Sequence, residues 1–144
     1  MTKIIALNGD KYSKKDIVAL KLAKNSSVEY VRPYSTKNDV DFNFATEDAM
    51  LKMFDEKTPL LFFHLNGEIF AYFKEQFVAD YCVVIVDDFS LISLKNAWDG
   101  DFMSVKIVNE KSEKSERYGV YDLDYDIVFD VDVDDIHMLE AQLE

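Results

Sequence analysis

The stretch "KIIALNGDKYSKKDIVALKLAKN", residues 3–25, places an apolar run, a polar turn and a helix-forming segment in succession. "KIIAL" has the short, almost continuous apolar character of a buried strand. The third part is rich in Ala, Leu and Lys, and predicts a helix from about Asp16 to Lys24 with Asp16 as its N-cap. A strand, then a turn, then a helix N-terminus is the order in which backbone amides cradle a phosphate. A working loop also needs glycines that let the backbone fold round the anion, a lysine that reaches the outer phosphates and a hydroxyl that holds magnesium. Gly9 and Lys15 stand where that pattern requires them. Lys14 occupies the place of the second glycine, and Asp16 that of the hydroxyl. A side chain at the first position obstructs a close backbone approach, and a carboxylate at the second adds negative charge beside a triphosphate. Lys11, Lys14 and Lys15 leave two readings, a loose anion contact or a helix start with solvated lysines, and the second is the plainer.

Outward from this stretch, strands and helices keep alternating. "VEYVRP" reads as an extended piece ended by Pro33, and "YSTKNDVD" as a loop. Thr46 is the expected N-cap of a helix over "TEDAMLKMF", with Glu47 and Asp48 well placed in its first turn. "PLLFFHLNGEIFAYF" is two β-like runs about Asn66-Gly67, the dipeptide most favourable to a tight hairpin. A short helix near "KEQFVAD", a buried parallel strand "YCVVIVDD", a helix "SLISLKNAW", strands "FMSVKIV" and "YDIVF" and a final helix "DIHMLEAQLE" complete the order. The fold class is therefore α/β, a mainly parallel sheet flanked by helices, in one domain over residues 1–144.

Composition agrees with a single packed unit: 144 residues with 49% hydrophobic content can bury one core, and an aromatic share of 14% opposes disorder. "LLFF" and "YCVVIV" are far too short to cross a bilayer, so the expectation is a cytoplasmic protein without membrane contact. Cys82, the sole cysteine, sits in an apolar run and reads as core. His64 and His137 are too far apart to suggest a metal pair; the former reads as a half-buried strand residue and the latter as a helix-surface one. A net charge of −12 opposes direct nucleic-acid binding, which draws its affinity from clustered Lys and Arg. The charge is uneven, with lysines near the N-terminus and acids in the last third.

The order of these segments resembles guanylate kinase over nearly the whole chain. "IIALNGDKYSKKDIVALKLA" is similar to that family's first strand, phosphate loop and helix, and "VRPYS…DVDFNF" to the segment that opens its GMP-binding part. "LLFFHLNGEIFAYFKEQF" is similar to its GMP-contacting hairpin, and "CVVIVDDFSLISLK" to its acidic strand end and following helix. The resemblance implies a P-loop fold with a hairpin-containing subdomain at about residues 32–78. It also implies that Arg32, His64, Phe70 and Asp87 gather round one nucleotide cleft beside Gly9, Lys14, Lys15 and Asp16.

Departures from the family pattern all run one way. Ser35 replaces the second phosphate-binding arginine, His64 a guanine-reading Glu, Phe70 a phosphate-touching Tyr and Ile85 the first acid of an acidic pair, leaving Asp87 with Asp88 beside it. The segment between "FMSVKIV" and "YDIVF" is shorter than the family's lid, and Arg117 is its lone arginine. Phosphoryl transfer rests on positioned cations, so the reading is a chain that has lost the kinase reaction and binds a partner protein without a cofactor. The alternative is an atypical nucleoside monophosphate kinase using ATP, GMP and magnesium.

"YDLDYDIVFDVDVDD" adds the last expectation. Apolar and acidic residues alternate from Tyr121 to Asp134, with Val128 the one exception, as in a strand at a sheet edge. Asp122, Asp124 and Asp126, then Asp130, Asp132 and Asp134, would then form rows of carboxylates. These rows fit a solvated face first. They also fit a surface for a basic partner such as a nucleic-acid-binding protein, through imitation of a nucleic-acid backbone. A calcium or magnesium loop is disfavoured by the absence of glycine.

Overall fold

The computed structural model describes residues 2–9, 13–109 and 125–143. Its frame is a sheet of β1 (Lys3–Asn8), β2 (Val28–Tyr30), β7 (Tyr81–Ile85), β8 (Phe102–Val108) and β9 (Ile127–Asp130) in the order β2-β7-β1-β8-β9. Every neighbouring pair is parallel. β1 lies at the centre because its run Ile4–Leu7 is wholly apolar: Ile4, Ala6 and Leu7 are fully buried, each packed from one face or the other. On one face Leu7, Val83, Val105 and Ile107 pack against Val18, Ala19 and Leu22 of α1 (Lys15–Leu22). On the other, Ala6, Cys82 and Val84 meet Leu91 and Leu94 of α3 (Asp88–Ala97). Cys82 is core, as its apolar run implied.

A second sheet rises from the carboxyl ends of these strands. It consists of β3 (Tyr34–Ser35), β4 (Asn43–Phe44), β5 (Pro59–Leu65) and β6 (Glu68–Phe73), in the order β4-β3-β6-β5. β5 and β6 are the expected hairpin, turning at Asn66 (φ 52°) and Gly67 (φ 80°), the two left-handed positions that a tight hairpin turn demands. One face of this sheet is closed by α2 (Glu47–Glu56), which buries Met50 against Ala71 and Phe73. Thr46 caps α2 as expected, its Oγ1 accepting from the Ala49 N–H at 3.2 Å.

Several local expectations fail for identifiable reasons. α1 starts at Lys15, one residue before the expected helix, and its N-cap is Lys14, with φ 59° and ψ 31° and no side-chain cap. Asp16 is therefore a first-turn residue rather than the cap, still well placed against the helix dipole. "KEQFVAD" yields only a 3-10 turn, Lys74–Gln76, and the C-terminal helix is one turn, α4 (His137–Glu140), followed by a second 3-10 turn, Ala141–Leu143. Part of "YSTKNDVD" is strand, because the Tyr34–Ser35 backbone pairs with Phe70 and Ala71.

The acidic alternation gives an edge strand as expected, but a short one. β9 ends at Asp130, and the chain then turns. The Asp134 carboxylate accepts from the Asp130 N–H at 2.8 Å, and the Asp130 carboxylate from the Asp132 N–H at 3.0 Å. Short acidic side chains here satisfy backbone donors and hold a turn, a local alternative to the sheet ladder. Asp130, Asp132 and Asp134 thus form no extended row. Asp122, Asp124 and Arg117 lie outside the described residues.

Candidate functional site

A cleft of about 520 Å³ opens where the two sheets meet, at the carboxyl ends of β2 and β7. Crevices at such strand ends are where open parallel sheets bind ligands. Its floor is apolar: Phe63 and Phe70 stack at 5.1 Å with an interplanar angle of 10°, and Phe42 meets Phe70 edge-on at 5.0 Å. Tyr30 and Tyr72 complete the aromatic wall. Burial holds the Tyr72 hydroxyl well above the usual tyrosine range. Burial also raises Tyr30, with the Arg32 guanidinium opposing it. The charged lining is Lys15 and Asp16 from α1, Lys37 and Asp41 from the loop between β3 and β4, and Asp87 at the start of α3. Asp87 is the N-cap of α3, accepting from the Ser90 N–H at 2.7 Å.

Of the expected pocket residues, Phe70, Asp87, Lys15 and Asp16 line this cleft, and Arg32 and His64 do not. Strand alternation removes His64: the register pairs Phe63 with Phe70 and His64 with Ile69, so His64 shares the opposite, α2-covered face with Ile69. His64 is exposed there rather than half-buried. Arg32 lies in a separate groove on the far side of Tyr30, its guanidinium 4.5 Å from that ring's centroid. Its backbone carbonyl accepts from Asn43 Nδ2 and Gln76 Nε2, which fixes the chain there. Gly9 and Lys14 belong to the neighbouring loop. A Cβ on Gly9 would stand 2.4 Å from Ser13 Oγ and 2.6 Å from the Ile107 carbonyl oxygen, so Gly9 lies tightly between Ser13 and the β8 backbone.

Sequence reasoning missed a buried polar chain beside this loop. Lys106 on β8 is 2% exposed, and its Nζ donates to Asn8 Oδ1 at 2.7 Å. Asn8 Nδ2 in turn donates to the Val86 carbonyl at 2.8 Å, tying β1 to the end of β7. The Tyr125 ring lies 5.5 Å from Lys106 Nζ, and its hydroxyl donates to Asp88 at 2.5 Å. Burial, and the Asp88 carboxylate, hold that hydroxyl above the ordinary tyrosine range. The available signal was Lys106 standing between apolar residues, Val105 and Ile107, in a strand whose other polar residue is Ser104. Asp126 is also structural: its Oδ2 accepts from the Ser104 N–H at 2.8 Å, continuing the β8–β9 ladder one step past its end. Among the described residues no His, Cys, Asp and Glu cluster could hold a metal ion, and His137 pairs only locally, 3.5 Å from Glu140. No helix among them is long and apolar enough to cross a membrane.

These features define a class: a P-loop-type α/β fold with a second small sheet over the strand ends. The chain has a guanylate-kinase-like fold, and the guanylate kinase from Anaplasma phagocytophilum aligns with it at a TM-score of 0.60 and 12% identity, over 99% of this chain and 81% of that one. No family model and no curated protein matches the sequence.

Proposed function

We propose that this protein is a non-catalytic binding protein built on the guanylate-kinase-like fold, whose cleft engages a basic protein partner. The observation that carries this reading is the cleft's charge: Asp16, Asp41 and Asp87 face two lysines, Lys15 and Lys37, and no arginine. A nucleotide's phosphates need positioned cations, above all bidentate guanidinium forks. Here Arg32 is turned away onto Tyr30, and Ser35, at the second arginine position, is fully buried with its Oγ accepting from the Lys37 N–H at 2.9 Å. Magnesium-ATP fits no better, because Asp16 replaces the metal-binding hydroxyl and Lys14 carries a side chain at the left-handed position where glycine is favoured. The chain's net charge of −12 supports the choice of a basic partner.

One observation favours the rival, an atypical guanylate kinase: Lys15 and Asp87 do line one cleft. Calorimetry separates the two. Titration with GMP, and with ATP in the presence of magnesium, is expected to show no saturable heat at millimolar ligand. Micromolar affinity that disappears in Lys15→Ala overturns the binding-protein reading in favour of the kinase.

A further inference from the structure

The cleft has a second property that charge alone does not express. Five of its lining side chains, Tyr30, Phe42, Phe63, Phe70 and Tyr72, are aromatic, the first three half-buried, and its three acids, Asp16, Asp41 and Asp87, are exposed. A flat cation with apolar faces satisfies both features at once, because it lies on ring faces while its edge donors reach carboxylates. Arginine is the side chain that has this shape. An ammonium offers no flat face, and an aliphatic anchor leaves the acids unused. Tyr30 shows the chemistry in this molecule: it borders both the cleft and the groove behind it, and in that groove the protein's own Arg32 lies 4.5 Å from its centroid.

The geometry points to an arginine side chain of the partner as the occupant of this cleft, an inference that rests on the binding reading above and names its recognition element. The guanidinium lies against the half-buried Phe42, Phe63 and Tyr30 rings and donates to Asp41 and Asp87. The lining carries three carboxylates against two ammonium groups, on a chain of net charge −12, so a cation enters down the field and a dianion against it. Asp87 keeps acceptor capacity for the guest, because only its Oδ1 is engaged in capping α3 and a carboxylate offers about four lone-pair sites.

The test is chemical-shift mapping with the pentapeptide acetyl-Gly-Ser-Arg-Ser-Gly-amide and its citrulline twin, which has nearly the same shape and no charge. The arginine peptide is expected to give saturable shifts at the Phe63, Phe70 and Tyr30 rings, and the citrulline peptide none. Because any cation is drawn to so acidic a chain, the decisive comparison is between two variants of equal charge. Asp41→Asn/Asp87→Asn removes the two cleft carboxylates that the guanidinium would meet, leaving Asp16, and keeps the helix cap, since Asn caps as well as Asp. Asp55→Asn/Glu56→Gln removes two charges from the end of α2, outside the cleft lining. The first is expected to weaken binding about tenfold and the second by less than about twofold. Equal loss in both variants, equal binding of citrulline, or shifts centred elsewhere overturns the inference. Failure here together with an absence of nucleotide binding leaves the binding-protein reading standing; nucleotide binding removes both.

Discussion

Gly9→Ala is expected to destabilise the fold although it adds one carbon. The added Cβ would lie 2.4 Å from Ser13 Oγ, 2.6 Å from the Ile107 carbonyl oxygen and 2.7 Å from Ser13 Cβ. Real Cβ atoms do not approach this closely, so something must move. Ser13 is fully buried and Ile107 sits in a buried inner strand, with Lys106 and Val108 on either side also buried. Neither neighbour can yield without displacing packed atoms, and overpacking of this kind costs about 1–3 kcal/mol. For a chain of this size each kcal/mol moves the melting midpoint by about 3 °C, so a cost near the middle of the range lowers it by about 6 °C. Thermal and urea unfolding followed by circular dichroism measure both. Adding Ser13→Ala removes the Oγ contact and leaves the carbonyl and Ser13 Cβ ones, so a double-mutant cycle should return a favourable coupling but incomplete recovery. A Gly9→Ala variant that melts within about 1 °C of wild type would show that Gly9 is not wedged between Ser13 and β8 as described.

Other outcomes follow from the same contacts. Asp87→Ala removes the α3 cap and should cost about 1 kcal/mol, whereas Asp87→Asn should cost little, both read from urea midpoints. Burial pushes the Cys82 thiol up to about 11, so its alkylation by iodoacetamide at pH 8 should run at the rate of unfolding rather than that of a free thiol. The same shift gives a sign for alkaline pH. The folded state favours the neutral thiol, so this contribution is complete below pH 9 and is lost as the pH rises through about 11; a Cys82→Ser variant should lose less stability over that window.

Much of the frame was legible because its signals are local or periodic. β1 and β7 are unbroken apolar runs, Asn66-Gly67 can hardly be anything but a hairpin turn, and Thr46 followed by two acids marks a helix start. The edge position of β9 was legible in the alternation around "YDIVF". Its length was not, because Asp130 and Asp134 satisfy backbone donors across a turn and nothing in a period of two distinguishes that from a longer strand. The site was half legible. Phe70 and Asp87 were placed in the cleft through the resemblance, whereas His64 was misplaced although hairpin alternation puts Phe63 and Phe70 on one face and His64 on the other. Arg32 was misplaced because its stacking on Tyr30 is a tertiary contact that spacing does not encode. Lys37, Asp41 and Phe42 lie on a loop whose path depends on the β3–β6 pairing, so their arrival at the cleft was not readable from order alone.

Phosphorus NMR of the protein incubated at high concentration with ATP, GMP and magnesium tests the central claim most directly, because it observes the transferred phosphoryl group itself and needs no coupling enzyme. The resonances of ATP and GMP should remain unchanged over hours, with no GDP signal above that of a protein-free control. Growth of GDP and ADP signals in equal amounts, abolished by Lys15→Ala, would contradict the account and make the cleft a working kinase site.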